Sequence, residues 1–219
     1  MPRLLFEKTG NAVWMSHLDL MRLFQRAFKR AGLNLKHTQG FNPRPSVSIA
    51  LPLSVGVQSQ CELLDFDLEG QTLGCDAICE KLNCALVDGV RVLEVYENGR
   101  KIRDLALMDC CVDLEYDRGV DEAVAQHIAA LFQQSRLEVE KKSKNGVTQQ
   151  DIIPMIRSLQ VNREDGNTLR IFARICCQNP TLNPMQLSSA VELYLPEWKP
   201  DFVKCRRLEV YDGNGTVFR

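Results

Sequence analysis

The chain has 219 residues, 45% hydrophobic and 25% charged, a size and composition that fit one large globular domain or two small ones. No apolar run approaches the roughly 18 residues of a membrane-spanning helix, and MPRLLFEKTGNAVW lacks the apolar core and cleavage site of a secretory leader, so a cytoplasmic protein without membrane contact is expected. Nine cysteines, an odd number without a secretion signal, point to reduced thiols.

Arg3–Lys8 reads as a strand and Ser16–Ala31 as a helix. Ser16 suits an N-cap, with Asp19 completing a capping pair. Leu20, Leu23, Phe24, Ala27 and Ala31 form the apolar face, and Arg22, Arg26, Lys29 and Arg30 form an opposite stripe roughly 12 Å long. The loop KHTQGFNPRPS follows. Gly40 permits a positive φ, Pro43 and Pro45 stiffen the chain around Arg44, and Phe41 is an aromatic in a polar setting suited to stacking on a base. Thr38, Gln39 and Asn42 supply hydrogen-bonding groups, and Lys36, His37 and Arg44 add basic ones.

Ser46–Leu51 and Cys61–Leu68 are the next expected strands, Thr72–Ala85 a helix and Val90–Tyr96 a strand. This β-α-β-β-α-β order is that of the ferredoxin-like split βαβ unit. A polar stretch, Glu97–Asp104, reads as a linker. Beyond it the order returns more loosely: strand Leu107–Glu115, helix Asp121–Gln134, strand Leu137–Lys142, a turn at Lys144–Gly146, strands Ile152–Asn162 and Leu169–Cys177, helix Asn183–Leu195 with Asn183 capping and Pro184 in its first turn, and strand Arg207–Tyr211. The expected architecture is therefore α+β: two tandem ferredoxin-like (βαββαβ) units with antiparallel sheets, over residues 1–97 and 105–219.

Charge is unevenly distributed. Residues 1–60 carry eight Lys/Arg against Glu7 and Asp19, while residues 61–97 carry nine Asp/Glu against Lys81 and Arg91. A positive region of this kind implies an anionic partner. The expected RNA- or anion-binding residues are Arg22, Arg26, Lys29, Arg30, Lys36, Gln39, Gly40, Phe41, Asn42 and Arg44. Lys141, Lys142 and Lys144 beside Gly146 are a second basic cluster, either another contact to the same anion or a solvated turn.

No complete catalytic constellation stands out. His17 with Asp19, or His37, would serve a metal-independent endoribonuclease as acid–base groups, which is one alternative function. A protein-interaction module without nucleic acid is another. His127 reads as a surface residue. Cys75, Cys79 and Cys84 are spaced C-x3-C-x4-C, which departs from the C-x3-C-x2-C of radical-SAM clusters. There is no CxxC for zinc. Cys110–Cys111 and Cys176–Cys177 are adjacent pairs inside strands and face opposite ways. No metal or cofactor is expected.

The stretches SHLDLMRLFQRAFKRAGL and QGFNPRPSVSIALPLSVGVQS resemble the radical-SAM-associated proteins, a family of unknown function, through His17, Asp19, Arg22, Arg26, Arg30, Gln39, Gly40, Phe41, Asn42 and Pro43. KSKNGVTQQDIIPMI, around Asp151 and Pro154, resembles a second block. Members of that family are encoded beside, or fused to, a radical-SAM protein, often near ribosomal-protein and ribonuclease genes. The resemblance implies a partner role and turns the anionic ligand toward RNA; it carries over no catalytic residue. The function expected is a non-catalytic RNA-binding or substrate-presenting partner of a radical-SAM enzyme acting on RNA or the translation apparatus.

Overall fold

The computed structural model describes residues 1–70, 73–143 and 146–219. They form two compact units, Met1–Ile102 with Arg219, and Arg103–Phe218. Both are α+β, built on antiparallel strands, with four α-helices in all among the described residues.

In the first unit the elements are β1 (Arg3–Lys8), α1 (His17–Arg30), β2 (Val47–Ala50), β3 (Val57–Phe66), α2 (Cys75–Asn83) and β4 (Val90–Tyr96). Across the sheet the strands run β4-β1-β3-β2, every pair antiparallel. Leu4 and Phe6 of β1, Leu64 and Phe66 of β3 and Val92 of β4 meet Leu20, Phe24, Ala27 and Phe28 of α1 and Ile78 and Leu82 of α2 in one core. Phe6 meets Phe24 edge-on at 4.7 Å, and Phe28 tilts against Phe66 at 5.0 Å. These ring pairs fix α1 against the sheet and turn its cationic stripe outward.

Two buried cations of this unit have partners. Arg3 grips Asp65 through Nε at 2.6 Å and Nη2 at 3.2 Å, and its Nη2 also donates to the Arg100 carbonyl at 2.9 Å. A Cβ at Gly99 would lie 2.9 Å from the Arg3 guanidinium, so a side chain there would displace that group. Lys8 is buried and donates from Nζ to the Met15 carbonyl at 3.0 Å; burial pulls its pKa down, and Glu62 pulls against that.

In the second unit come β5 (Leu105–Glu115), α3 (Glu122–Leu131), β6 (Glu138–Ser143), β7 (Gly146–Asp151), β8 (Ile156–Arg163), β9 (Thr168–Cys176), α4 (Met185–Tyr194) and β10 (Phe202–Asp212). The sheet runs β10-β5-β9-β8, again antiparallel, and β6 pairs with β7 as a separate ribbon. With that ribbon left aside, both units place their strands in the same order: fourth, first, third, second.

Several boundaries differ from expectation. The third strand begins at Val57 rather than Cys61, because Val57, Ser59 and Cys61 alternate inward. Helix α2 begins at Cys75, and residues 71–72 lie outside the described residues. The ribbon strand β7 was not expected, since GVTQQD has no apolar alternation and is largely exposed. Pro154 sits in a short 3-10 turn, Ile153–Met155, so β8 starts at Ile156 instead of Ile152. The last strand runs from Phe202, not Arg207, and pairs with β5 along its whole length. At the start of α4, the Asn183 side chain accepts from the Met185 N–H at 3.0 Å, with Pro184 between them.

Candidate nucleic-acid interface

Helix α1 is capped as its sequence demands. The Asp19 N–H donates to Ser16 Oγ at 3.2 Å, and Ser16 Oγ donates to Asp19 Oδ2 at 2.7 Å. That hydrogen bond, with help from Arg22, holds the Asp19 carboxyl below its ordinary pKa. The far end closes in a Schellman turn. Gly32 adopts φ +68°, its N–H donates to the Lys29 carbonyl, and the Leu33 N–H donates to the Phe28 carbonyl at 2.9 Å. This reversal buries Leu33 and Leu35 beneath the last turns of α1 and sends the chain back beside the helix.

The segment that follows is a small hairpin. The Ser46 N–H donates to the Lys36 carbonyl at 2.7 Å, the Thr38 N–H to the Arg44 carbonyl at 2.8 Å, and the Arg44 N–H to Thr38 Oγ1 at 3.0 Å. Lys36 and Ser46 also bond to the Asp67 backbone, which ties the hairpin to the end of β3. Its tip, Gln39, Gly40, Phe41, Asn42 and Pro43, is exposed. Gly40 has φ +129° with open space where a Cβ would stand, and the Phe41 ring is fully exposed.

Arg22, Arg26, Lys29, Arg30, Lys36 and Arg44 are all exposed. Their partners divide them. Arg22 reaches Asp19 at 3.2 Å, Lys36 reaches Asp67 at 3.1 Å, and Arg30 donates to the Ala85 carbonyl. Among the described residues no acidic group lies within ion-pair distance of Arg26, Lys29 or Arg44. Between α1 and the hairpin lies an open groove of about 490 Å³, lined by Gln25, Arg26, Lys29, Asn34, His37 and Glu69 over the apolar Phe28, Leu33, Leu35 and Pro45.

The two histidines are not brought together. His17 opens α1 and is half-buried, with Nδ1 enclosed and without a hydrogen-bond partner. His37 stands past the last turn, in the hairpin arm. His37 lines the groove beside Gln25 and Arg26, about two helical turns along α1 from His17. Asp19 is engaged by Ser16 and Arg22. His127 is exposed on α3. Of the second basic cluster, Lys141 turns back to the Thr181 carbonyl at 3.5 Å, while the Lys142 side chain and Lys144 lie outside the described residues.

Two features of this surface escape a reading of local sequence. Glu69 reaches the groove because Leu35 bridges Leu68 and the Glu69 N–H donates to the Asn34 carbonyl at 2.8 Å; no spacing in the chain signals a pairing so distant. Trp14, which ends a 3-10 turn ahead of α1, and Leu18, in the first turn of α1, are each 64% exposed. The cysteines are all free thiols. Burial, and then the neighbouring Asp76, pushes the Cys79 thiol up; its Sγ faces the Val92 carbonyl and Asn83. No helix among the described residues is long and apolar enough to cross a membrane.

Fold and surface thus define an α+β protein with antiparallel sheets and a basic helix–hairpin face. A chain in the crystal structure of a Cbf5–Nop10–Gar1 complex has a similar fold, at TM-score 0.54 and 9% identity, matched over 98% of this chain and 50% of its own length. A chain of the archaeal box H/ACA sRNP Nop10–Cbf5 complex matches at TM-score 0.48 and 9% identity, over 98% of this chain and 49% of its own. The present chain spans about half the length of these solved chains. No curated protein matches it. By the family model that matches residues 2–184, the chain belongs to the uncharacterized proteins conserved in bacteria grouped as DUF2344.

Proposed function

We propose that this protein is a non-catalytic RNA-binding or substrate-presenting partner of a radical-SAM enzyme that acts on RNA or the translation apparatus. The observation that carries the RNA part is the set of exposed cations Arg26, Lys29 and Arg44, with no acid within ion-pair distance among the described residues, together with the exposed Phe41 ring at the hairpin tip. Phosphate contacts supply most of the affinity for a nucleic acid, and an exposed aromatic ring adds base stacking. The partner part rests on the resemblance of the α1 and hairpin segments to radical-SAM-associated proteins. A similar fold in a complex of Cbf5 with Nop10 and Gar1 fits work within a multiprotein assembly. Nine free thiols fit a reducing cytoplasm. The shared strand order supports reading each unit as a ferredoxin-like domain, the second with a ribbon inserted, joined through Glu97–Asp104.

Two measurements test this. Single-stranded RNA titrated into the full chain at low salt should bind, and Arg26→Glu with Lys29→Glu should weaken binding while the far-ultraviolet circular dichroism stays unchanged. The tagged protein, isolated from its own cells, should bring down a radical-SAM protein. A chain that binds no RNA, or a double variant that binds as the parent does, contradicts the RNA reading. Isolation without a radical-SAM protein contradicts the partnership.

A further inference from the structure

We propose that the groove between α1 and the hairpin receives one unpaired guanine base of an RNA strand whose phosphates lie along Arg26 and Lys29. This rests on the RNA-binding reading above and adds base recognition to it. The groove, about 490 Å³, falls within the roughly 300–1,000 Å³ of small-ligand clefts. Its floor is apolar and fixed: Phe28, Leu33 and Leu35 are core residues, held there by the Schellman turn. A flat ring gains more from such a floor than a phosphate or a ribose does. Cations on the α1 side hold a backbone while the base points inward.

Glu69 supplies the selection. Its backbone N–H is anchored to Asn34, its side chain is exposed at the groove, and among the described residues no cation lies within ion-pair distance of its carboxylate, Lys36 having taken Asp67 instead. An ionised carboxylate only accepts hydrogen bonds. Guanine presents N1–H and N2–H side by side on its Watson–Crick edge, which match the two carboxylate oxygens. Adenine and cytosine place a ring acceptor next to their single amine, and uracil flanks its N–H with two carbonyls. Asn34 offers an amide donor for the guanine O6. Because the edge read is the pairing edge, the base must be unpaired, so the strand is single-stranded there.

The test compares a fluorescent oligouridylate with the same oligomer carrying one central guanosine, by anisotropy with the full chain. The guanosine should tighten binding about tenfold, the scale of one charge-assisted hydrogen-bond pair. Glu69→Ala should erase the preference, so that both oligomers bind alike. Gln25→Trp, which fills the groove from the helix side, should erase it too. Equal affinities for the two oligomers in the parent protein, or a central adenosine as good as guanosine, would overturn the base pocket while leaving the RNA reading in place. Failure of both oligomers to bind would remove the RNA reading and this proposal with it. Free guanosine monophosphate binding as tightly as the oligomer would overturn the claim that the base arrives on a strand.

Discussion

Arginines on the sheet of the second unit and cations on α1 of the first have opposite fates. On the sheet, Arg170 holds Asp113 through Nε at 2.6 Å and Nη2 at 3.2 Å, and its Nη1 reaches Glu164. Arg206 meets the same Asp113 at 3.1 Å. Arg174 grips Asp109 at 2.7 and 2.9 Å, lies 4.1 Å over the Tyr211 ring, and shares Asp109 with the Tyr211 hydroxyl, which donates at 2.8 Å. Those guanidinium groups are spent on holding strands in register. On α1 and its hairpin, Arg26, Lys29 and Arg44 face solvent, with no acid within ion-pair distance among the described residues. Counting charges locates a basic region; pairing decides which of its cations remain available to a ligand.

The sharpest break between structural and available groups is in the phenylalanines. Phe28→Ala should destabilise the protein by about 3–5 kcal/mol, as a buried ring truncation does. Phe41→Ala should leave urea unfolding within about 0.5 kcal/mol and weaken RNA binding by about 1–3 kcal/mol. A stability loss on Phe41→Ala would make the hairpin tip a structural anchor.

Next comes the sheet network. Asp113→Ala strips Arg170 and Arg206 of their shared carboxylate and should cost about 3 kcal/mol in urea unfolding, with RNA binding retained. A cost under about 1 kcal/mol would place the network among ordinary surface pairs and blur the contrast with α1.

A smaller effect is expected in acid. Burial pushes the carboxyls of Asp113 and Asp109 up, but hydrogen bonds from Arg170 and Arg174 outweigh it, and both pKa values lie below the ordinary one. Their unfolded forms therefore take up protons first as pH falls. The stability they contribute is complete above the unfolded value, about 3.9, and is lost as pH falls from there through the folded values. Urea midpoints should be flat for these two groups between pH 8 and 6 and should drop below roughly pH 4, less steeply in Asp113→Ala. An acid limb unchanged in that variant would assign the drop to other carboxylates.

Features with local causes were legible in the sequence. Ser16 and Asp19 cap α1, and Pro43 and Pro45 frame a turn; each acts on its own neighbours. The basic stripe was legible too, because helical spacing alone puts Arg22, Arg26, Lys29 and Arg30 on one side. Long-range pairing was not. The strand β7 is polar and exists through its ladder with β6. The head of β10 gains its strand partners from β5, and its polar face hides the alternation. Which of the α1 cations are engaged was not legible: Arg22 reaches Asp19, and Arg30 reaches the Ala85 carbonyl. Glu69 belongs to the acidic stretch by sequence and to the basic groove by structure, and only the fold reveals that.

The central claim is that Arg26, Lys29 and Arg44 are free to bind phosphate. It is tested most directly by the salt dependence of single-strand RNA binding in the parent protein and in the combined Arg26→Glu, Lys29→Glu and Arg44→Glu variant. Each phosphate contact to a single strand contributes about −0.7 to the slope of log affinity against log salt, so the variant's slope should be shallower by about 2. Slopes that coincide, or parent binding that does not change with salt, would contradict the account.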